Sequence, residues 1–369
     1  MESAGERLYK IVEAYASLGD HRTGTPVDRA TNEWFGNEMR NRGARVEQLP
    51  YTFDKFVAEC KLTAGDSEIE ALPLYYEAIG KVDSLSIYVA ELEVSLSGSS
   101  ALGSLITRAR RSGADAAVFA TTGQGGRLVA LNRVAVIASG FPVVLAPGSA
   151  LGVLKQGDMH LEMDARLEAS ESTTVIGYFG EGDHSRPVVV GTPISGWFRC
   201  AGERATGIAV ALELAAKLSE RWPVMLVGTT GHELHHLGLQ HFLESRELHP
   251  LAAIHIGASV AGGVPGPDGS LALAPTRRTL TNANDETVQQ LKAIVSPAAF
   301  EVEANPSDWQ DESRNWVALG TPTLSFLGQF PLFHTPDDLP HLATSADLLE
   351  TANECVIKAT HLFVENSLN

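Results

Sequence analysis

Hydrophobic positions follow two different spacings along the first 180 residues. Apolar residues recur at the helical interval over 8–18, and a second helical pattern over 30–42 follows the turn signal at 24–26, so we predict two helices there. Gly43 is well placed to end the second helix.

From about residue 46 to residue 176 the pattern changes to short apolar runs broken by Gly, Ser and Asp. A strand-rich stretch with few helices is typical of a separate α+β module. The predicted strands are LPLYY, LSIYVAEL, AAVFATTG, FPVVLAPG and HLEMDARLEA, and the predicted helices cover 102–112 and 148–156.

From residue 188 onward, strands and helices alternate. Continuous apolar strands between amphipathic helices predict an α/β fold with a mostly parallel sheet and helices on both faces. We therefore predict a discontinuous α/β catalytic domain over 1–50 and 175–369, with an inserted α+β module over 51–174. The strands are VVVG, VMLVGTT, AAIHIGAS and TPTLSFLG, and the helices cover 205–219, 234–245, 285–293 and 345–364.

The composition of the chain indicates which classes of binding partner to expect. The chain has 369 residues, of which 44% are hydrophobic, and a formal net charge of -17, which disfavours binding to nucleic acid or to an anionic membrane. Three scattered cysteines fit a reducing compartment, and the N-terminus lacks the basic head and apolar region of a signal peptide. We expect a cytoplasmic protein that acts on a small molecule or short peptide, with a homo-oligomer compatible with the sequence.

Three side chains that are candidates for catalysis or metal binding follow predicted strands. Glu203 lies in the Gly-rich turn CAGERATG after one strand, and His232 and Glu233 follow the next strand in GHELHH. Open α/β sheets place their active sites at the carboxyl ends of parallel strands. We therefore predict that these side chains lie at one active site.

The order of these segments resembles the zinc exopeptidase family of bacterial leucyl aminopeptidases and glutaminyl cyclase. CAGERATG, GHELHH, AAIHIGAS and LFHTPDD follow one another as the metal-binding segments do in that family. The stretches ITRARRSGADAAVFATTG and ASGFPVVLAPGSALGVL resemble the protease-associated domain that is often inserted there. The resemblance implies a zinc-exopeptidase-like fold with this insert.

The resemblance also implies a partly degenerate metal site. The ligand positions of the family's first zinc fall on Pro193, Ser195 and Gly257, which offer poor ligands or none. Those of its second zinc fall on Glu203, Glu233 and His334. Three protein ligands and one open position are the arrangement of a catalytic zinc. We expect one zinc or similar divalent ion at these three residues, with a metal-free site as the alternative.

His232 stands where the family has its catalytic glutamate. As an imidazole it could transfer protons, become a fourth ligand that closes the site, or be an ordinary residue at the start of a helix. HELHH also satisfies HExxH, in which His232 and His236 would bind zinc and Glu233 would be the base. The position directly after a strand favours the aminopeptidase interpretation, so His235, His236 and His241 are interpreted as a polar helix face.

A second set of residues is predicted to line the substrate pocket. His255 ends a buried strand and could supply a ligand or a hydrogen bond to substrate, and an acidic pair in DESRNW could bind an amine. Aromatic residues in nearby loops could line an apolar pocket. The alternatives are a core histidine, an acidic surface loop and aromatic residues that cap the core. The predicted pocket residues are His255, Asp311, Glu312, Trp197 and Trp309.

The sequence therefore predicts an atypical, single-metal hydrolase of the aminopeptidase type. It would cleave an amide bond in a small peptide or amino-acid derivative, with His232 as the proton-transfer group. The alternatives are acyl transfer or a lyase reaction of the glutaminyl cyclase type, or a binding or scaffold protein that has kept the fold and lost catalysis.

Overall fold

The computed structural model describes residues 2–95, 98–266 and 269–368, which form an α/β fold around one large sheet. The helices are α1 (Ala4–Ser17), α2 (Pro26–Asn41), α3 (Leu102–Arg111), α4 (Leu151–Leu154), α5 (Thr206–Leu218), α6 (Leu237–Glu244), α7 (Asp285–Val295), α8 (Ser313–Val317), α9 (Pro340–Ala343) and α10 (Ala346–Ser367). The strands are β1 (Arg45–Ala64), β2 (Ser67–Ile69), β3 (Leu72–Pro73), β4 (Gly80–Ser84), β5 (Ile87–Glu93), β6 (Ala116–Thr122), β7 (Val143–Pro147), β8 (Met159–Phe179), β9 (Val188–Pro193), β10 (Val224–Thr229), β11 (Ala252–Ile256), β12 (Gly263–Pro265), β13 (Leu271–Leu273), β14 (Thr276–Thr281), β15 (Glu301–Ala304) and β16 (Thr323–Gln329).

The large sheet has a parallel centre and antiparallel flanks. Its strands lie in the order β15-β14-β16-β11-β9-β10-β8-β1-β2, and β4 pairs with β8. The central strands β16, β11, β9 and β10 run parallel, whereas β14 is antiparallel to β16 and β8 is antiparallel to β10. The predicted α/β class is confirmed, while the antiparallel flanks were not predicted.

Apolar side chains from the central strands point to both faces. Val188 and Val190 pack into a core with α1, α5, α7 and α10, and Val189 packs on the opposite face with Phe242 of α6 and Trp316 of α8. Alternate residues of a strand point to opposite faces, so a strand buried on both sides is apolar throughout. The prediction that helices cover both faces is confirmed.

The first two helices have sequence-encoded boundaries. At the start of α1, Ser3 and Glu6 form a capping box, in which each side chain accepts from the other residue's backbone N–H. At the start of α2, the Thr25 side chain accepts from Asp28 N. Gly43, with φ of +89°, follows the end of α2 and confirms the predicted stop.

β1 and β8 form a long antiparallel ribbon, in register from Arg45↔Tyr178 to Ala64↔Met159. A second sheet, in the order β3-β7-β6-β5, lies between them in the sequence and packs against α3. Both predicted domain boundaries, 50/51 and 174/175, fall inside the ribbon. The division into two domains stays a prediction.

Some predicted elements differ from those observed. The helix predicted over 148–156 is a 3-10 turn over 148–150 followed by the single turn of α4, and the helix predicted over 234–245 begins at Leu237. The flanking strands β14 and β15 were not predicted. Within the described ranges, no helix combines the length and the apolar character needed to cross a membrane.

Candidate active-site cleft

A cleft of about 610 Å³ opens in the loops that follow β10, β11 and β16, at the carboxyl ends of the parallel strands. This is the edge at which open α/β sheets bind ligands. Its walls bring together imidazole, carboxylate and guanidinium groups from loops that are far apart in the sequence. The lining residues used below are Arg133, His232, His236, Asp311 and His334.

The loop after β10 folds differently from the prediction. Residues 232–234 form a 3-10 turn, and α6 begins only at Leu237. Between them, His235 and His236 have φ of 64° and 65°. Two successive left-handed residues cannot continue a right-handed helix. His232 and Glu233 therefore lie in a separate turn and not in the first turn of α6.

The carboxylate of Glu233 is fully buried and held by the fold. Its Oε1 accepts a hydrogen bond from Thr23 N at 2.6 Å, and its Oε2 accepts one from Ser195 Oγ at 2.8 Å. The Glu233 backbone carbonyl also accepts from Arg133 N at 2.9 Å. These bonds join the turn to the N-terminal segment and to the end of β9.

Glu203 lies in a π-helical turn over 201–205, between β9 and α5. The Asp338 carboxylate accepts from Gly202 N and Glu203 N at 2.6 and 3.1 Å, which fixes this turn. Glu203 Oε1 lies 2.9 Å from Arg204 Nη2 and 3.2 Å from His334 Nε2. Burial alone would raise the pKa of Glu203, but the charges of His334 and Arg204 lower it overall.

The ring of His334 is oriented by a backbone carbonyl. Its Nδ1 lies 3.0 Å from Ala130 O, and because a carbonyl only accepts, Nδ1 carries a proton. Ala130 N donates in return to His334 O at 2.9 Å. Nε2 then lies 3.2 Å from Glu203 Oε1, and neither of these buried atoms has a hydrogen-bond partner of good geometry among the described residues.

A second imidazole–carboxylate group surrounds His232. Its Nδ1 lies 3.4 Å from Asp311 Oδ1 and 3.5 Å from Glu312 Oε1. Burial, reinforced by the charge of Arg204, holds the pKa of His232 well below its usual range, so the ring is neutral at neutral pH. Both oxygens of Glu312 lie 2.8 Å from Thr229 Oγ1, and burial together with the Asp311 charge raises the pKa of Glu312 to about 8.

His255 approaches the same group from β11. Its Nδ1 lies 2.8 Å from Ser325 Oγ, while its Nε2 lies 3.8 Å from Asp311 Oδ1. Nε2 is buried and has no hydrogen-bond partner among the described residues. Burial lowers the pKa of His255 to about 4. The ring is therefore neutral and presents an unused nitrogen to Asp311.

The three predicted zinc ligands are not brought together. Among the described residues, the groups whose ligand atoms converge within 4.8 Å do not include the set Glu203, Glu233 and His334. Glu203 and His334 are neighbours, whereas both oxygens of Glu233 accept hydrogen bonds from Thr23 and Ser195. The ligand set Glu203, Glu233 and His334 stays a prediction. The converging groups are His232, His236 and Asp311, and Cys200, Glu203 and Asp338.

The second of these groups is poorly suited to a metal. The Asp338 oxygens already accept from two backbone N–H groups, and burial raises the pKa of the Cys200 thiol. A thiol must lose its proton before it binds a metal. The group of His232, His236 and Asp311 has the nitrogen and oxygen donors that zinc accepts.

The positions that the resemblance assigns to the family's first zinc have other contacts in the structure. Pro193 ends β9, and Ser195 donates to Glu233. At Gly257 an added Cβ would lie 2.6 Å from His255 Cε1 and 3.0 Å from Asp311 Oδ2. The space that a side chain would need at position 257 is therefore filled by His255 and Asp311.

The two predicted pocket tryptophans are not among the residues that line the cleft, although Asp308 and Gln310 on either side of Trp309 do line it. Trp197 is buried, its Nε1 donates to Asn132 Oδ1 at 2.8 Å, and its ring packs edge-on against Tyr75. Trp309 is partly buried in the loop after β15. A role for either residue in substrate binding stays a prediction. The sequence analysis named His236 as a zinc ligand only in the HExxH alternative and otherwise interpreted it as part of a polar helix face.

The fold is similar to that of known zinc aminopeptidases. No family model and no curated protein matches the chain. Among solved structures, the chain is similar to a zinc aminopeptidase from Bacillus subtilis, with 15% identity over 97% of this chain and 94% of that chain and a TM-score of 0.74. An aminopeptidase from Aneurinibacillus sp. strain AM-1 has 18% identity over 98% and 93%, with a TM-score of 0.63. A glutaminyl cyclase from Fimbriiglobus ruber has 12% identity over 97% and 95%, with a TM-score of 0.52. These likenesses confirm the resemblance at the level of the fold.

Proposed function

We propose that the protein is an amide hydrolase of the aminopeptidase type that acts in this cleft on a small peptide or amino-acid derivative. The observation that supports it best is that two imidazole–carboxylate groups face one cleft. One contains His334 and Glu203, and the other contains His232, Asp311 and Glu312. Amide hydrolysis needs both activation of the carbonyl and a proton for the departing nitrogen.

His334 is suited to handle the proton. Its Nε2 lies 3.2 Å from Glu203 Oε1, and the Ala130 carbonyl keeps the ring from turning. Buried carboxylates orient an imidazole and stabilise its charged form. This assignment moves the proton-transfer role from His232, the sequence prediction, to His334. A divalent ion, when bound, would polarise the amide carbonyl.

The test is a hydrolysis panel. Aminoacyl amides, dipeptides and peptides with N-terminal glutamine are incubated with the protein after reconstitution with zinc, and products are identified by mass spectrometry. We expect amine release from at least one class, reduced about 100-fold or more in His334→Gln, as is typical for loss of a proton-transfer group.

His249→Gln is the matched control, because His249 is exposed and pairs with Glu247 at the surface. Loss of ammonia from N-terminal glutamine without peptide cleavage would replace hydrolysis by cyclisation. No turnover of any member of the panel would contradict both and would favour a binding protein.

A further inference from the structure

We propose that His232, His236 and Asp311 hold one divalent transition-metal ion in the cleft, at a place distinct from Glu203, Glu233 and His334. Metal binding does not depend on the proposed function, but the catalytic use of the ion does. The inference starts from the finding that the three residues each offer a ligand atom within 4.8 Å of the others.

The separations suit one shared ion. With metal–ligand bonds of about 2.0–2.1 Å, two ligands of a tetrahedral ion lie roughly 3.3 Å apart. His232 Nδ1 and Asp311 Oδ1 are 3.4 Å apart. This separation is too long for a good hydrogen bond between them, and it is close to the distance between two ligands of a tetrahedral ion. The side chain of Asp311 is 13% exposed, so an ion could enter from the cleft.

The backbone conformation at residues 235 and 236 brings the His232 and His236 rings together. His235 and His236 both adopt left-handed φ angles, a conformation that costs energy in residues other than Gly and often marks functional sites. The result places the His232 and His236 rings in a stack with centroids 5.1 Å apart. This explains why the HExxH spacing brings two imidazoles together without a helix, and why Glu233, between them, points into the fold.

Neighbouring side chains orient the donors. His236 Nδ1 lies 3.1 Å from Asn315 Oδ1, which leaves Nε2 for an ion. His255 provides an independent observation, because its buried Nε2 has no partner in the described part of the chain and faces Asp311. A buried nitrogen without a partner costs free energy, so this nitrogen indicates that something besides the described side chains is bound near Asp311. His255 itself is not among the residues whose ligand atoms converge.

The donor set indicates the class of ion. Two imidazole nitrogens and one carboxylate oxygen, without thiolate, suit zinc or another first-row divalent ion, whereas calcium and magnesium prefer oxygen ligands. As a ligand, His232 could not also remove a proton. That consequence agrees with the assignment of proton transfer to His334.

The experiment measures metal content and affinity without turnover. The full chain is stripped with chelator and titrated with zinc, whose content is measured by mass spectrometry, and with cobalt, whose visible spectrum reports ligand geometry. The variants are His236→Asn and Asp311→Asn. His235→Asn is the matched control, because it removes the adjacent exposed imidazole at an equivalent left-handed position, which Asn tolerates.

We expect one ion per chain in wild type and in His235→Asn, and affinity at least 100-fold lower in His236→Asn and Asp311→Asn. Circular dichroism of the chelated proteins shows whether the variants are folded. Retention of the ion in Glu233→Gln and His334→Gln separates this site from the predicted one.

Two results would overturn the site. One is wild-type protein that binds no more zinc than an adventitious trace after reconstitution. The other is loss of the ion in Glu233→Gln and His334→Gln with retention in His236→Asn. An ion bound at His236 without hydrolysis would contradict the proposed function and leave this inference standing, whereas hydrolysis by metal-free protein would contradict the ion's catalytic role.

Discussion

Glu203 and Glu233 are both buried glutamates of the site, but they contact different donors and charges. Glu233 accepts from Thr23 N and Ser195 Oγ, so its negative charge is satisfied by neutral donors. Glu203 instead faces the guanidinium of Arg204 and the ring of His334. Glu233 therefore joins the loop after β10 to the N-terminal segment and to the end of β9, whereas in the proposed function Glu203 acts together with His334.

Replacing Ser195 by Ala tests the structural role of Glu233. The substitution leaves Glu233 Oε2 buried with one donor fewer, and an unsatisfied buried acceptor costs about 1–3 kcal/mol. We expect the free energy of unfolding in urea to fall by that amount. Ser104→Ala, at an exposed position, is the control and should change it little. Equal stability of the two variants would show that water replaces the lost donor.

A second residue-scale prediction concerns Asp28. Its Oδ2 accepts from Gly24 N and Ser172 Oγ, and burial raises its pKa to about 7. Because the folded-state pKa is raised, the stabilisation is complete below the unfolded pKa near 4 and is lost as pH rises through about 7. Asn cannot ionise, so Asp28→Asn should lack this loss.

The measurement is urea unfolding at pH 5 and pH 7.5. We expect the wild type to lose about 1–3 kcal/mol more than Asp28→Asn between these pH values, since one pKa unit corresponds to about 1.4 kcal/mol. Asp66→Asn, at an exposed position, should follow the wild type. A parallel pH dependence in Asp28→Asn would mean that Asp28 is ionised in the folded protein.

At the scale of elements, Gly238 determines how α6 packs on the end of β10. Its N–H donates to Thr230 O at 3.0 Å, and an added Cβ would lie 2.4 Å from the same oxygen. Gly238→Ala must therefore push α6 from β10 and displace His236. We expect a loss of about 1–3 kcal/mol in unfolding free energy, typical of overpacking, together with weaker zinc binding.

Gly152→Ala is the control for this prediction, because an added Cβ there meets no atom within 4 Å. Thermal unfolding and zinc titration of the two variants are compared. If Gly238→Ala keeps wild-type stability and affinity, α6 moves without disturbing the turn before it.

The sequence predicted those elements whose burial is uniform. The central strands are apolar throughout because both faces are covered, and their pattern shows in the sequence. β14 contains Arg277, which is buried with its guanidinium 4.2 Å from the Phe300 ring, so the strand's sequence TRRTLT conceals its burial. The left-handed angles of His235 and His236 have no sequence signature, and the helix was consequently predicted to start too early.

At the scale of the whole molecule, the cleft combines segments from the large sheet with a segment that follows β6. Ala130 exchanges hydrogen bonds with His334, Asn132 accepts from Trp197, and Arg133 N donates to Glu233 O. Sequence analysis placed the strand-end residues correctly at one edge of the sheet. It could not predict their pairing, because the pairing depends on contacts between residues that are 65 to 204 positions apart.

The last prediction concerns how this segment is held at the cleft. The Arg133 guanidinium pairs with the carboxylate of Glu77, which is 1% exposed and also accepts from Ser139 N. Arg133→Gln removes the cation and leaves the buried Glu77 carboxylate with fewer partners. In fully buried pairs such a change lowers the free energy of unfolding by several kcal/mol. We expect a loss of about 1–3 kcal/mol here, because Arg133 is partly exposed.

We expect the backbone amides of residues 128–134 to exchange hydrogen faster in Arg133→Gln than in wild type, since local opening rises as a segment loses its contacts. Arg127→Gln is the matched control, because the pair between Arg127 and Asp337 is exposed and contributes little. The ring of His334 depends on Ala130 for its orientation, so hydrolysis should slow in Arg133→Gln and not in Arg127→Gln. Unchanged exchange in 128–134 alongside lower stability would mean that the Arg133–Glu77 pair supports only the second sheet, and that the His334 loop holds the segment by itself.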